Sequence, residues 1–264
     1  MARLTVAAVS PEIRIGDVDG NLDRAADAIR SATARGAGLI VLPELATSGY
    51  ALAGRAEASG AALTRDDPRW AVLHEALIGD AVVVIGYAEA ADGVIYNTAA
   101  ALARDRRLYD YRKSHLWGAE RMLFTAGHEA GAVVEAPFGM LGLAICYDDE
   151  FPEVPRRLAL AGADVLALPV AWPLVPRPAG ERPPETIQAM ASARSSRLPI
   201  IIADQRGSDR GIVWTGGTAI VDGDGWIAAE DERFAIAELD LAAVRDKSLP
   251  PYNDLFADRR EDLY

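Results

Sequence analysis

The segment GLAICYDDEFPE, residues 142–153, contains Cys146, the single cysteine among 264 residues. The apolar run that ends at Cys146 predicts a buried strand, and the three carboxylates of Asp148, Asp149 and Glu150 follow it almost at once. A lone thiol forms no internal disulfide and rarely makes a metal site. Two interpretations therefore remain for Cys146: a small buried hydrophobe or a catalytic nucleophile.

Composition limits the partners that the chain can have. Half of the residues are hydrophobic, which predicts a sizeable core, and the formal net charge is −12. Nucleic acid and anionic membrane surfaces are excluded as partners, because both are bound through clustered Lys and Arg. The N-terminal segment has no signal-peptide layout and no apolar stretch long enough to span a bilayer. One cysteine and no export signal predict a soluble cytoplasmic protein.

Strand-like and helix-like segments alternate along the chain, which predicts parallel strands joined by helical crossovers. Some strand-like segments follow each other directly, which predicts antiparallel hairpins, so we expect a sheet with both parallel and antiparallel pairs. The Pro-rich stretch 173–185 is interpreted as a loop over a site rather than a boundary, and we expect a single domain over residues 1–264. Strands are predicted at 3–10, 39–44, 81–90, 94–103, 106–113, 132–137, 140–147, 163–172, 198–205, 217–225 and 234–241, and helices at 21–36, 68–79, 153–163 and 184–196.

Three of the predicted strands end on a side chain that can do chemistry: Glu44, Lys113 and Cys146. A thiol with an ordinary pKa near ~8.5 is mostly protonated at neutral pH, and only its thiolate attacks well. A carboxylate can act as its general base, and an ammonium group favours the thiolate and can hold a developing oxyanion. These three residues are sufficient for acyl transfer without histidine.

Three ordered blocks of the sequence resemble the signatures of the carbon–nitrogen hydrolase, or nitrilase, superfamily. They are VLPELATSGY (41–50), YRKSHLWGAERMLFTAG (111–127) and ICYDDEFPE (145–153), and the similarity extends over nearly the whole chain. The short spacing in the second block resembles the amidase-like branch. The resemblance implies an α/β fold, an α-β-β-α sandwich of two mixed β-sheets flanked by helices.

The resemblance also implies roles for individual residues. Glu44 is expected to be the general base, Lys113 the cation near the oxyanion, Cys146 the nucleophile, and Glu120 a second glutamate that positions substrate or supports catalysis. With Lys113, the backbone N–H of Tyr147 is expected to stabilise the oxyanion. No metal and no organic cofactor is expected. The acidic segment DVDGN (17–21) is followed by Leu22 where a calcium loop has its glycine, and Ala28 stands where the bidentate glutamate should be.

The substrate class stays open between three alternatives. The pair Tyr147-Asp148 after the cysteine resembles amidases and carbamoylases more than nitrilases, so hydrolysis of a small amide, with release of acid and ammonia, is the first choice. An N-carbamoyl amidohydrolase is the second and a nitrilase the third. Candidate pocket walls are Tyr50, Tyr147 and Trp172. A carbamoylase would need a cationic anchor, for which Arg177 and Arg182 are candidates.

Some expectations concern the departures of the chain from the family and its assembly. After the helix at 184–196 the family commonly continues Arg-Ala-x-Glu-Asn, whereas this chain has RSSRLP (194–199), which leaves room for an unusual specificity. Acyl transfer to an amine and a catalytically silent binding subunit remain alternatives. The resemblance implies a homodimer or higher homo-oligomer, and the tail 247–264 is expected to pack on a partner subunit.

Overall fold

The computed structural model describes residues 3–263, and its core is built from two mixed β-sheets packed face to face. The strands are β1 Arg3–Val9, β2 Leu39–Val41, β3 Val82–Ala91, β4 Val94–Ala103, β5 Arg107–Arg112, β6 Ala132–Ala136, β7 Gly139–Leu143, β8 Val165–Pro169, β9 Ile200–Ala203, β10 Ser208–Asp209, β11 Ile212–Val213, β12 Ala219–Val221, β13 Ile227–Glu230, β14 Phe234–Asp240, β15 Ser248–Leu249 and β16 Asn253–Asp254. The α-helices are α1 Val18–Ala34, α2 Arg55–Ala61, α3 Ala71–Ala76, α4 Glu120–Leu123, α5 Glu153–Leu160, α6 Pro184–Ser196 and α7 Leu241–Arg245, with 3₁₀ turns at Pro68–Trp70, Cys146–Glu150 and Glu261–Leu263.

The two large sheets share one plan. Within residues 3–263, the first has the strand order β14-β1-β2-β3-β4-β5 and the second β13-β12-β9-β8-β7-β6. In each, three neighbouring strands run parallel and the outer strands pair antiparallel with them. The four parallel pairs need crossover connections, which α1, the pair α2 and α3, α5 and α6 supply. The predicted mixed sheet is confirmed, and so is the α-β-β-α sandwich implied by the resemblance.

Alternation along the strands of the first sheet separates two cores. In β1, Val6 and Ala8 face the second sheet, whereas Ala7 and Val9 face the helical layer of α1 and α3. Successive side chains of a strand point to opposite faces, so one apolar run fills both layers. In the second sheet, the run Ile200–Ile202 is completely buried, because α5 and α6 cover the face that does not meet the first sheet.

Local signals explain where α1 begins and ends. Asp17 caps the helix by accepting a hydrogen bond from the backbone N–H of Gly20 at 3.3 Å. The helix ends at Ala34, and Gly36, which the sequence marks as the stop, has φ +84, a conformation that suits glycine. The helices α2, α4 and α7 and the strand β13 lie in segments for which the sequence predicted no element.

The C-terminal tail folds back on its own chain. The Arg156 guanidinium on α5 donates to the carbonyl of Leu255 at 2.7 Å and lies over the Phe256 ring, as does the ammonium of Lys247. Tyr252 remains almost fully exposed. Packing of residues 247–264 on a partner subunit stays a prediction, and Tyr264 lies outside the described residues. No helix within residues 3–263 is long and apolar enough to cross a membrane.

Candidate active site

The turn after β2 holds Glu44 between the two sheets. Leu45 has φ +49, and the turn lies directly against Gly86 of β3, whose backbone N–H donates to Pro43 at 3.1 Å. The second sheet also holds the turn, since the amide of Gln205 donates to the Glu44 carbonyl at 3.0 Å. The side chain of Glu44 is completely buried.

Lys113 follows the last residue of β5 and its side chain is also completely buried. Its Nζ donates to Oε1 of Glu44 and to Oε1 of Glu120, both at 2.7 Å. The amide of Asn97 donates to the same Glu44 oxygen at 2.7 Å. Oε2 of Glu44 is buried and meets no hydrogen-bond donor within residues 3–263. One carboxylate oxygen is therefore fixed by two donors, and the other is left to accept a proton.

Glu120 opens the short helix α4 and is held from two further sides. The Tyr50 hydroxyl donates to its Oε1 at 2.5 Å, and the backbone N–H of Trp117 donates to its Oε2 at 3.3 Å. Burial and the nearby charges of Glu44 and Glu120 raise the pKa of Tyr50 well above its usual range, so the phenol stays neutral and donates. Lys113 thus bridges two carboxylates whose positions are fixed independently.

Cys146 lies where the chain leaves the second sheet, three residues beyond the end of β7, and it has φ +47. A left-handed backbone is costly for a residue other than glycine and persists only where neighbours hold it. Asp148 does so: it is fully buried and accepts from the backbone of Ile145 at 3.0 Å and the Tyr111 hydroxyl at 2.9 Å. It also meets Nδ1 of His115 at 2.8 Å.

The buried charges determine how the thiol ionises. Burial raises the pKa of Glu44 to about 7, although the ammonium of Lys113 works against the rise. Burial, and then the negative charge of Glu44, raise the pKa of the Cys146 thiol well above its usual range; Lys113 and the backbone N–H of Ala171 oppose them. The thiol is therefore neutral at rest, and it interacts with a carboxyl group whose pKa is near neutrality.

A cavity of about 350 Å³ opens above the cysteine. It lies between the 3₁₀ turn, the loop after β8 and the start of α6. Its lining residues are Trp117, Cys146, Tyr147, Glu150, Ala171, Trp172, Pro173, Val175, Pro184 and Glu185. The Pro-rich stretch 173–185 therefore covers the site, as predicted. Glu44, Lys113 and Glu120 lie behind the thiol rather than on the cavity wall.

The comparisons with known proteins agree with this geometry. The carbon-nitrogen hydrolase family model matches residues 5–247. The chain belongs to the carbon–nitrogen hydrolase family. A protein named nitrilase from Pyrococcus abyssi is 32% identical to this hydrolase, and the alignment covers 100% of the hydrolase and 99% of the relative. An (R)-stereoselective amidase from a Pseudomonas species is 34% identical, and the alignment covers 88% of the hydrolase and 85% of the amidase.

The solved structure of an amidase from a Nesterenkonia species has the same fold, with a TM-score of 0.80 at 24% identity over 98% of the hydrolase and 94% of that chain. The resemblance drawn from the three sequence blocks is confirmed, and so is the enzyme class.

The residues predicted as pocket walls divide into two groups in the hydrolase. Tyr147 and Trp172 line the cavity. Tyr50 is not among the lining residues; its hydroxyl is bound to Glu120 instead. The two arginines proposed as a carboxylate anchor are outside the cavity as well. Arg177 donates to the carbonyl of Glu181 and Arg182 pairs with Glu230.

The RSSRLP segment of the hydrolase also lies away from the cavity. Arg194 and Arg197 both pair with Asp224 in the turn between β12 and β13, and Arg197 ends α6 with φ +45. The segment 222–225, at the end of the predicted strand 217–225, forms a hairpin turn in which the backbone N–H of Asp222 donates to the carbonyl of Trp226. The two arginines of the segment RSSRLP therefore face the turn between β12 and β13, whereas Ser196 and Leu198 are buried.

Several residues at the site were not anticipated from the sequence. Asn97, which fixes Glu44, interrupts the apolar run VIYNTAAALA, and a buried amide in a strand is a signal that could have identified it. Asp148 and the cavity residues Glu150 and Glu185 carried no comparable signal. Within residues 3–263, no group of three or more His, Cys, Asp or Glu side chains is arranged to hold a metal ion.

Proposed function

We propose that the hydrolase cleaves the C–N bond of a small linear amide through a thioester on Cys146, with release of ammonia and a carboxylic acid. The observation that carries this proposal is the buried cluster behind the thiol. Lys113 lies 2.7 Å from both Glu44 and Glu120, and the second oxygen of Glu44 has no donor within the described residues.

In the first half of the reaction, Oε2 of Glu44 takes the proton of the thiol as sulfur attacks the amide carbon. A C–S bond forms and the carbonyl oxygen becomes an oxyanion, which Lys113 and the backbone N–H of Tyr147 stabilise. The C–N bond then breaks, and the nitrogen leaves as ammonia with the proton that Glu44 gives back. A carboxyl group with a pKa of about 7 can both accept and return a proton at neutral pH.

In the second half, Glu44 takes a proton from water as the water oxygen attacks the thioester carbon. The tetrahedral intermediate collapses, the C–S bond breaks, and the acid leaves while Glu44 returns the proton to sulfur. Glu120 and Tyr50 hold the ammonium of Lys113 in place during both halves, so its charge faces each oxyanion without reorganisation.

An amide is favoured over an N-carbamoyl amino acid as the substrate. Such a carbamoyl compound brings a carboxylate that needs a cationic partner, but Arg177 and Arg182 bind other groups and none of the Lys and Arg residues between 3 and 263 lines the cavity. A relative named amidase supports the same choice.

Ammonia release from a panel of short amides, N-carbamoyl amino acids and nitriles tests the proposal. Cys146→Ala and Cys146→Ser should each lose turnover by at least about 10³-fold while the melting temperature stays close to that of the wild type. Mass spectrometry of the quenched wild type should find the acyl group on Cys146. Turnover that survives Cys146→Ala would refute the mechanism, and a wild type that neither releases ammonia nor acylates would indicate a silent binding protein.

A further inference from the structure

The wall of the cavity above Cys146 combines aromatic rings with negative charge. Trp117, Tyr147 and Trp172 supply three aromatic side chains, and Glu150 and Glu185 supply two carboxylates. No Lys, Arg or His is among the lining residues. Aromatic faces and carboxylates are the surroundings that favour a cation, because the ring face is the negative part of its quadrupole.

One of the two carboxylates lacks a donor. Glu185 stands in the first turn of α6, and its Oε2 is buried without a hydrogen-bond partner within residues 3–263. A buried polar atom without a partner costs free energy comparable to a lost hydrogen bond, so a ligand that donates there is stabilised. Since carboxylate oxygens accept and do not donate, the matching ligand group is an N–H or O–H donor.

The second carboxylate lies close enough to the first to interact with it. Glu150 ends the 3₁₀ turn that begins at Cys146, and burial together with the charge of Glu185 raises the pKa of Glu150. Two like charges that share a small space repel each other, and a cation between them removes the repulsion.

The cations near this region already have partners. Lys113 bridges Glu44 and Glu120 behind the thiol. Arg182, from the loop that covers the cavity, pairs with Glu230 on β13. Arg177, from the same loop, donates to the backbone carbonyl of Glu181 and keeps its positive charge, but it is not a lining residue. Among the lining residues of the described chain none balances the negative charge of the cavity, and a cationic substrate would balance it.

We propose that this cavity selects amides that carry a protonated amine, with the ammonium group between Glu150 and Glu185 and the amide carbonyl at Cys146. The proposal rests on the proposed function and names its substrate class. A cavity of about 350 Å³ is at the small end of ligand pockets, which favours a short linear ω-amino amide over a peptide.

Three probes of similar length test the charge preference: 5-aminopentanamide, the neutral hexanamide and the anionic glutaramate. The wild type should show kcat/KM about tenfold higher for 5-aminopentanamide than for hexanamide, and higher again than for glutaramate, as an ion pair in a partly solvated cavity predicts. In Glu150→Gln and Glu185→Gln, the ratio of kcat/KM for the cationic over the neutral amide should fall about tenfold. Glu75→Gln, which removes an exposed carboxylate on α3, should leave the ratio unchanged.

The two proposals fail in different ways. Amide hydrolysis with equal kcat/KM for the cationic and neutral probes, or a ratio that does not change in either glutamine variant, overturns the charge preference and leaves the hydrolase mechanism in place. Binding to Cys146→Ala, measured by calorimetry, needs no turnover. Tighter binding of 5-aminopentanamide than of hexanamide there supports the preference even if the mechanism fails, and equal binding overturns it.

Discussion

Replacing Gly86 by alanine should separate the candidate base from its partners. A Cβ built on Gly86 would lie 2.4 Å from the backbone nitrogen of Leu45 and 2.6 Å from the Cα of Glu44. Ordinary contacts begin near 3.4 Å, so the turn must move by roughly 1 Å. The neighbouring atoms belong to the backbone and cannot rotate away, and overpacking of this kind costs about 1–3 kcal/mol of stability.

The same displacement affects the chemistry. A shift of roughly 1 Å would lengthen the 2.7 Å hydrogen bond between Glu44 and Lys113 beyond useful range. Misplacement of a catalytic group on this scale costs on the order of 10²-fold in rate. We therefore expect Gly86→Ala to lose about 10²-fold in kcat/KM, a larger loss than its stability change alone would cause.

Urea unfolding and kinetics on the same preparations give the two numbers. Gly60→Ala on α2 is the matched control, because a Cβ there has no heavy atom within 4 Å. It should keep wild-type kcat/KM and gain up to about 1 kcal/mol, as Ala replaces Gly within a helix. A folded Gly86→Ala variant with wild-type kcat/KM would show that the turn can accommodate a Cβ at residue 86 without displacing Glu44, and would refute this reasoning.

Further expectations concern the buried polar groups. The kcat/KM of the wild type should fall as the pH drops below about 7, where Glu44 gains its proton. Asn97→Asp should move this acidic limb of the pH–rate profile to higher pH by about one unit, because a second carboxylate beside Glu44 favours protonation of Glu44. A pH–rate profile that does not move would contradict the contact between residue 97 and Glu44. Tyr50→Phe should lower kcat about tenfold with little change in KM, since the 2.5 Å hydrogen bond to Glu120 is lost, and wild-type kcat would contradict this role. Asp149 is buried, and burial raises its pKa to about 8 although the Ser192 hydroxyl opposes the rise. The folded state then holds this proton more tightly than the unfolded chain, so stability falls as the pH rises from about 4 to 8, by about 1.4 kcal/mol per pH unit. Asp149→Asn should remove that slope in urea unfolding at a series of pH values, and an unchanged slope would contradict it.

The sheet architecture could be predicted to the extent that it follows from local pattern. The alternation of strands and helices indicated parallel crossovers, and the run at 94–113 indicated the hairpin of β4 and β5. Short elements such as β13 and α2 were not predicted, because their residues are only partly buried and show no apolar periodicity. The division into two facing sheets came from the resemblance, since strand periodicity does not tell which sheet a strand joins.

At the candidate site, Glu44, Lys113 and Cys146 could be predicted to come together from their places at strand ends, but the different surroundings of the three acidic residues after the cysteine could not be predicted. Asp148, Asp149 and Glu150 are adjacent and chemically alike. A 3₁₀ turn rotates successive side chains by about 120°, so the three reach different surroundings. Asp148 meets donors from β5 and the segment after it, Asp149 is buried beside α6, and Glu150 reaches the cavity. These surroundings depend on elements distant in sequence, which local pattern does not report.

Glu44 belongs to the first sheet and Cys146 to the second, and each stands on a turn with a left-handed residue at the end of a short strand. In the proposed mechanism neither sheet carries all the reacting groups, so we expect turnover to require that the distance between the two sheets stays constant to within a fraction of an ångström. Turnover should for this reason be sensitive to small changes in the packing between the two sheets. A substitution that loosens this packing should abolish activity while both sheets still keep their secondary structure.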